Sequence, residues 1–267
     1  MSSPLRIAIL GLGESGLAIA TGLLTAGADV IAFDVKPPKK ASIPLADSVE
    51  AAVTGADLVL SITTSTQAWR MAQDAATHLG AGVLYADFTT GTPAHKAHLA
   101  KSFAEGSCVD VAIMGSAAEQ GAEVPLLVAG AQAQAFIDLV TPLGMNAQPV
   151  SDTVGDAAAR QVIQGLLAKN LAGVVVDYMW AAESMGVADW AFDALQREFE
   201  AMTGETARNY LIDTVKNAKR REIEMMDVVE MLEGGEHQSL FVPPTQLVYN
   251  KIYHSIKVPH SDEPEDD

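Results

Sequence analysis

Six residues constrain this chain more than any other segment. Gly11-Leu12-Gly13-Glu14-Ser15-Gly16 reads G-x-G-x-x-G. Among 21 glycines such a spacing is weak by itself, so its context carries the argument. The apolar, β-branched run Arg6 to Leu10 precedes it, a helix-length segment from Leu17 to Thr25 follows, and a second apolar run ends at Asp34, 18 residues beyond Gly16. Each part has a task in holding a diphosphate. Gly11 makes a tight turn, Gly13 lets backbone approach the ligand, and Gly16 lets the helix pack on the strand. Leu12, Glu14 and Ser15 complete the turn, and the helix N-terminus offers unpaired N–H groups. Asp34 at a strand end can accept hydrogen bonds from ribose hydroxyls and repels a 2′-phosphate, which puts NAD ahead of NADP. Lys36, Lys39 and Lys40 just beyond it keep NADP open, because three cations could hold that phosphate if the loop folds back.

Around this turn the pattern is α/β. Short apolar runs beginning at Arg6, Asp29, Ala56, Gly82, Cys108 and Pro125 alternate with helix-length segments up to about Val150, the signature of a doubly wound parallel sheet of Rossmann type. Beyond Ser151 the 3.6-residue period takes over, which predicts an all-α C-terminal domain. The expected division is residues 1–151, 152–258 and an acidic, disordered tail at 259–267. From Val162 through Ala182 the only charges are Lys169 and Asp177, so this helix is apolar nearly all round and calls for burial on every side. Helices of a second subunit could supply that cover, and a homodimer is expected.

Charge excludes several partners. Asp and Glu number 34 against 17 Lys and Arg; five of the acids fall in the last six residues, and the remaining 29 still outnumber the bases. Such a field repels phosphate backbones and anionic lipid, so no nucleic-acid and no membrane partner is expected. Uncharged runs such as Val124 to Ile137 stop short of the ~18 residues a membrane span needs. The apolar N-terminal run breaks at Gly11 without a small-residue cleavage site and reads as a strand, not a secretory signal. One cysteine, Cys108, cannot form an internal disulfide, and no Cys/His cluster offers a zinc site. A cytoplasmic protein without a resident metal is the expectation.

The motifs now on the page resemble those of the β-hydroxyacid dehydrogenase and 6-phosphogluconate dehydrogenase superfamily, including its imine reductase relatives. GLGESG resembles the family opening GLGxMG. Asp87-Phe88-Thr89-Thr90-Gly91-Thr92-Pro93, with Ala100 at the right distance, fits DxSTxxPxxxxxxA with Thr89 in place of Ser; its TTGTPA is similar to the TNGTPA of imine reductases. Val109 to Ser116, with Gly121-Ala122 after it, resembles the DAPVSGG segment, Met114 and Ser116 replacing the usual Ser and Gly. The resemblance implies substrate contacts at Thr89, Thr90, Met114, Gly115 and Ser116, and places Thr63 and Thr64 along the cofactor ribose. Thr89, Thr90, Gly115 and Ser116 also fall just beyond predicted strand ends, where ligands collect in open α/β sheets.

One departure is chemically important. Family dehydrogenases carry GxGxxxKxxN at the start of the first long C-terminal helix, the lysine serving as acid/base. Here Gln161 stands six residues past Gly155, and Gln164 holds the Asn position. Glutamine orients a carbonyl or imine but exchanges no proton at useful pH. Arg160, one residue away, would act as an electrostatic clamp. Lys169 lies eight residues on from Gln161, roughly 12 Å along a helix. Gln161 and Gln164 are expected to face the reacting carbon, and Lys169, too far for direct replacement unless the substrate is long, completes the catalytic candidates. Imine reductases also lack the lysine, since a protonated iminium asks less of the enzyme.

Three functions stay open. The resemblance implies an NAD(P)-dependent oxidoreductase passing hydride to or from a small hydroxy acid or keto acid in the interdomain cleft. An NADPH-dependent imine reductase and a non-catalytic dinucleotide-binding protein are the alternatives. Elsewhere, His95 and His98 flank Lys96 on what reads as a surface face, and Asp177, Tyr178 and Trp180 read as packing or interface residues. His237, Tyr249 and His254 are candidates for entering a partner's site. Lys219-Arg220-Arg221, in KRREIEM before a helix end near Gly234-Gly235, resembles the RRxxEM segment of a phosphogluconate-dehydrogenase-like C-terminal domain and reads as an anion patch or a solvated face.

Overall fold

The computed structural model describes residues 3–39, 42–233 and 237–261. Lys40, Gly234-Gly235 and the acidic residues 262–267 fall outside that range. The chain forms two compact units, Met1–Leu166 and Leu167–Asp267.

The first unit is a seven-stranded sheet of Rossmann type. Its strands are β1 (Arg6–Leu10), β2 (Asp29–Phe33), β3 (Leu58–Ser61), β4 (Leu84–Asp87), β5 (Cys108–Ile113), β6 (Leu126–Ala129) and β7 (Ala147–Ser151). They lie in the order β2-β1-β3-β4-β5-β6-β7. Helices α1 (Glu14–Thr25), α2 (Val49–Val53), α3 (Ser65–Ala76), α4 (Pro93–Ala100), α5 (Ala117–Gln120) and α6 (Ala133–Val140) connect them. Alternate residues of each central strand feed opposite faces: Ile7 and Ile9 join the core that includes residues of α1 and α6, Ala8 and Leu10 the one that includes residues of α2 and α3. Burial on both faces explains the unbroken apolar runs.

The sheet differs from the expected one in two respects, one antiparallel pair and one additional strand. β5 and β6 pair antiparallel. Their connection holds only the four-residue α5 and a 3-10 turn at Gly121–Glu123, too little for a crossover helix to return the chain parallel. β7 carries no strong strand signal because it is an edge strand containing Pro149, a residue that sheets accept at their edges.

Beyond the sheet, α7 (Asp156–Ser184) runs across the boundary between the units, followed in the second unit by α8 (Ala188–Ala201), α9 (Gly204–Glu233) and α10 (Val242–Tyr253). The expectation that α7 is wrapped on every side fails in the single chain, where Ile163 is 66% and Leu167 70% exposed. Among the described residues α7 is also the one helix long and apolar enough to cross a membrane by length and composition, with mean hydropathy 1.2 over an 18-residue window. A count of uncharged runs had excluded such a segment; two charges, Lys169 and Asp177, interrupt the run without lowering its mean below that level. In the second unit α7 meets Phe241, the residue just before α10, at Gly173, where an added Cβ would lie 2.7 Å from the Phe241 ring.

Candidate functional site

At the carboxyl ends of β1, β2 and β3 lies a groove of about 460 Å³. The strand order reverses between β1 and its neighbours, and open sheets bind ligands at that switch point. Its floor is the glycine turn. Gly11 takes φ +101°, and a Cβ there would sit 2.5 Å from the Ile62 carbonyl oxygen; a Cβ on Gly16 would sit 2.1 Å from the Gly11 carbonyl oxygen. Both glycines are therefore fixed by the fold itself. A Cβ on Gly13 would meet nothing within 4 Å, so nothing in the chain demands glycine there. Gly13 is the N-cap of α1 and no side chain caps that helix. Its first turn, Glu14 to Gly16, lines the groove and suits the diphosphate of a dinucleotide.

Asp34 and Lys36 line the groove together. One Asp34 carboxylate oxygen accepts the Leu12 N–H at 2.6 Å and the other the Lys36 N–H at 2.7 Å. Leu12 itself points into the core, 4% exposed, and its amide is turned to Asp34, so it supplies no amide to a diphosphate. Thr63 and Thr64 line the opposite wall, Thr64 as the N-cap of α3.

Toward β4 and β5 the groove is lined by Phe88, Thr90 and Ile113. Thr89 faces elsewhere: it is 4% exposed, its N–H and O–H both donate to Asp87 Oδ1 at 3.0 and 2.6 Å, and it borders a neighbouring cavity of about 270 Å³ that Thr90 also touches. Met114 is half-buried against Ala112, Ala129 and Ala157, and its N–H donates to the Pro125 carbonyl. Gly115 packs near Gln120, and Ser116 is the N-cap of α5 without a side-chain cap bond. None of these three lines the groove in the first unit.

Gln161 does reach the groove's edge. Its side-chain amide donates to the Ile113 carbonyl at 3.0 Å, which sets the first turns of α7 against the end of β5. Gln164 and Lys169 are exposed, and Lys169 belongs to the second unit. The structure thus brings Gly11, Gly13 to Gly16, Asp34, Thr63, Thr64, Thr90 and Gln161 to one groove or its rim, and leaves the other candidates off it.

The sequence reading missed the most heavily buried charges in the unit. Asp87 and Asp110 are register partners across β4 and β5, 1% and 0% exposed. Lys96, read as part of a surface face, is 2% exposed instead and lies 3.1 Å from a carboxylate oxygen of each. Its ammonium also donates to the Asp87 carbonyl at 2.8 Å. Acids directly opposite in a buried sheet need a cation, and a lysine on the intervening helix was the available signal. His95 and His98 are exposed, His98 stacking on Trp69. Cys108 stands beside this network; burial, and then the Asp87 charge, push its thiol well above the usual range. Tyr85 is shifted up by the same two causes.

In the second unit Asp177 is buried and accepts hydrogen bonds from His237 at 3.1 Å, from the Leu240 N–H at 3.0 Å and from the Ser239 hydroxyl. Burial alone would raise its pKa; these bonds and the Phe241 N–H outweigh that and hold it below the usual carboxylate value. Tyr178 donates to the Ala191 carbonyl, and Trp180 packs against His237. The cationic trio is spread over separate partners: Arg220 pairs with Glu224, Arg221 donates to Thr214, and Lys219 lies over the Tyr253 ring. His254 bonds the Asn250 carbonyl. No group of three or more acidic, His or Cys side chains placed to hold a metal occurs among the described residues.

Comparison with known proteins agrees with this geometry. Residues 182–252 match a domain of unknown function (DUF1932). A conserved hypothetical protein from Sinorhizobium meliloti 1021 is 26% identical, with 98% of this chain and 93% of that one covered and a TM-score of 0.60. An imine reductase from Myxococcus stipitatus in complex with NADP+ shares the fold at 17% identity, TM-score 0.76, with 96% of each chain covered. An uncharacterized 28.5 kDa protein of Methanothermus fervidus is 18% identical over 81% of this chain and 84% of its own. Residues 6–155, more than half of the chain and nearly the whole of the groove's unit, match the NAD binding domain of 6-phosphogluconate dehydrogenase, and the chain belongs to that family.

Proposed function

We propose that this protein is an NAD(P)-dependent oxidoreductase that reduces a small polar C=N substrate beside Thr90. When bound, the dinucleotide supplies the hydride from C4 of its nicotinamide. The observation that carries the reading is Gln161, an amide that cannot serve as a general acid or base, held to Ile113 where family dehydrogenases place a lysine. Among the described residues that line the groove the titratable ones are Glu14, Asp34 and Lys36, on the glycine turn and just past β2. None of the described residues lining the groove at its Thr90 and Ile113 end is titratable; His95 and His98 border the neighbouring cavity instead. A carbonyl needs a proton as hydride arrives, whereas an imine that binds protonated brings its own. The protein's part is alignment and exclusion of water. Asp34 at the ribose corner favours NAD over NADP.

A second reading, oxidation of a hydroxy acid or reduction of its keto acid, is supported by the Thr89-Thr90 motif and by the dehydrogenase for which the family is named. Purified protein given NADH or NADPH with cyclic imines and with short keto acids separates the two. The expected result is oxidation of the reduced nucleotide with cyclic imines. Turnover of keto acids alone favours the second reading. Tight NAD(H) binding with no turnover, in wild type and in Gln161→Lys alike, makes this a dinucleotide-binding protein without catalysis.

The active form is proposed to be a homodimer joined through the C-terminal helices. Trp190, Phe192, Ile223 and Met226 are each more than half exposed in the single chain, an apolar surface of the kind that marks interaction sites. A second copy, rather than a bilayer, is the cover proposed for α7. Light scattering without detergent should give twice the chain mass.

A further inference from the structure

The buried charges of the first unit have a use beyond packing. Buried ion networks are weak contributors to stability compared with apolar residues of the same volume, so their geometry invites a functional reading. Lys96 joins two carboxylates, and each carboxylate spends its other oxygen on a different functional segment. Asp87 Oδ1 holds the Thr89 N–H and O–H, at the root of the loop that delivers Thr90 to the groove. Asp110 Oδ2 accepts the N–H groups of Gly155 at 3.1 Å and Ala158 at 2.9 Å, capping the start of α7 one turn before Gln161. Gly155 is itself pressed on α4: it has φ +107°, and a Cβ there would lie 2.9 Å from the Pro93 carbonyl oxygen. Every path between the Thr90 loop and the Gln161 turn through this network crosses the Lys96 ammonium.

We propose that Lys96 is a positioning residue: by bridging Asp87 and Asp110 it fixes the Thr89–Thr90 loop against the turn of α7 that carries Gln161. The inference rests on the oxidoreductase reading for its consequence, but not for its geometry. Lys96 donates a hydrogen bond to the Asp87 carbonyl and forms ion pairs with the two carboxylates, so methionine, with similar length and no charge, removes the bridge and little volume.

The test uses the full-length protein and two variants. Lys96→Met removes the bridge. Lys96→Met/Asp110→Asn also removes it but keeps the formal charge of the cluster at that of the wild type, which guards against a failure to fold from two unpaired acids. Hydrogen exchange of the Thr89, Gly155 and Ala158 amides should rise at least tenfold in both variants, with central amides of β1 unchanged and NADH binding within about threefold of wild type. Reduction of a five-membered cyclic imine should lose at least tenfold in kcat with little change in the NADH KM. Unchanged exchange and kcat in either folded variant overturns the proposal. If both variants unfold, Lys96 serves the core alone and the proposal is wrong. If exchange changes as stated but even the wild type turns over no imine or keto acid, the positioning role stands and the oxidoreductase reading fails.

Discussion

Asp34 accepts the Leu12 N–H at 2.6 Å, and this bond fastens the chain just past β2 to the glycine turn 22 residues earlier. The same carboxylate faces the groove beside Lys36. A 2′-hydroxyl can donate to it, whereas a 2′-phosphate placed at that corner meets a like charge. Asp34→Ser removes the charge and leaves Lys36 in place. The ratio of NADPH to NADH affinity should rise at least tenfold, about 1.4 kcal/mol. Fluorescence titration of both reduced nucleotides measures it, and an unchanged ratio would remove Asp34 as the determinant.

Gly13 and Gly16 separate ligand from fold. A Cβ on Gly16 would overlap the Gly11 carbonyl oxygen at 2.1 Å, so Gly16→Ala should lower stability by about 1–3 kcal/mol, read as a urea midpoint shift. Gly13 has extended backbone dihedrals open to any residue, and its Cβ would meet open space. Gly13→Ala should therefore unfold like wild type and yet bind NADH at least tenfold more weakly, because the methyl group occupies the diphosphate's place. Wild-type affinity in this variant would put the diphosphate elsewhere.

What the sequence revealed, and what it hid, follows from range. The glycine turn, Asp34 and the Thr89-Thr90 motif act through neighbours a few residues away or through a fixed βαβ spacing, so pattern exposes them. The antiparallel β6 depends on how much chain the β5 to β6 connection contains, and β7 depends on Pro149 finding an edge. Lys96 was hidden because its two partners are 9 residues before it and 14 after it, on strands whose pairing only the sheet creates. Of Thr89 and Thr90, adjacent in sequence, Thr90 alone reaches the groove for the same reason: β4 ends at Asp87, whose carboxylate captures Thr89, while Thr90 lines both the groove and the neighbouring cavity.

Cys108 is 3% exposed on β5 and its thiol is held well above the ordinary range, first by burial and then by the Asp87 charge. The thiolate is the reactive form, so the native protein should resist an aromatic disulfide reagent at about pH 8, where an ordinary cysteine of pKa ~8.5 reacts readily. One equivalent should react at once in denaturant. Rapid labelling of the native chain would contradict the burial of β5.

Asp177 gives the second unit an acid-sensitive clamp. Its carboxyl sits below the usual range because the hydrogen bonds from Ser239, Leu240, His237 and Phe241 outweigh its burial. A group whose pKa is depressed on folding stabilises above its unfolded value of ~3.9, and that contribution disappears as pH falls through the folded value. Asp177→Asn keeps the shape, loses the charge and turns an amide N–H₂ toward donors, a cost of about 1–3 kcal/mol. Urea midpoints should therefore separate wild type from Asp177→Asn at about pH 5 and above, and the gap should narrow as pH drops below about 4. The comparison runs between about pH 5 and 3. A gap that stays constant across that range would show that the Asp177 charge contributes nothing to the clamp and that its hydrogen bonds act through shape alone.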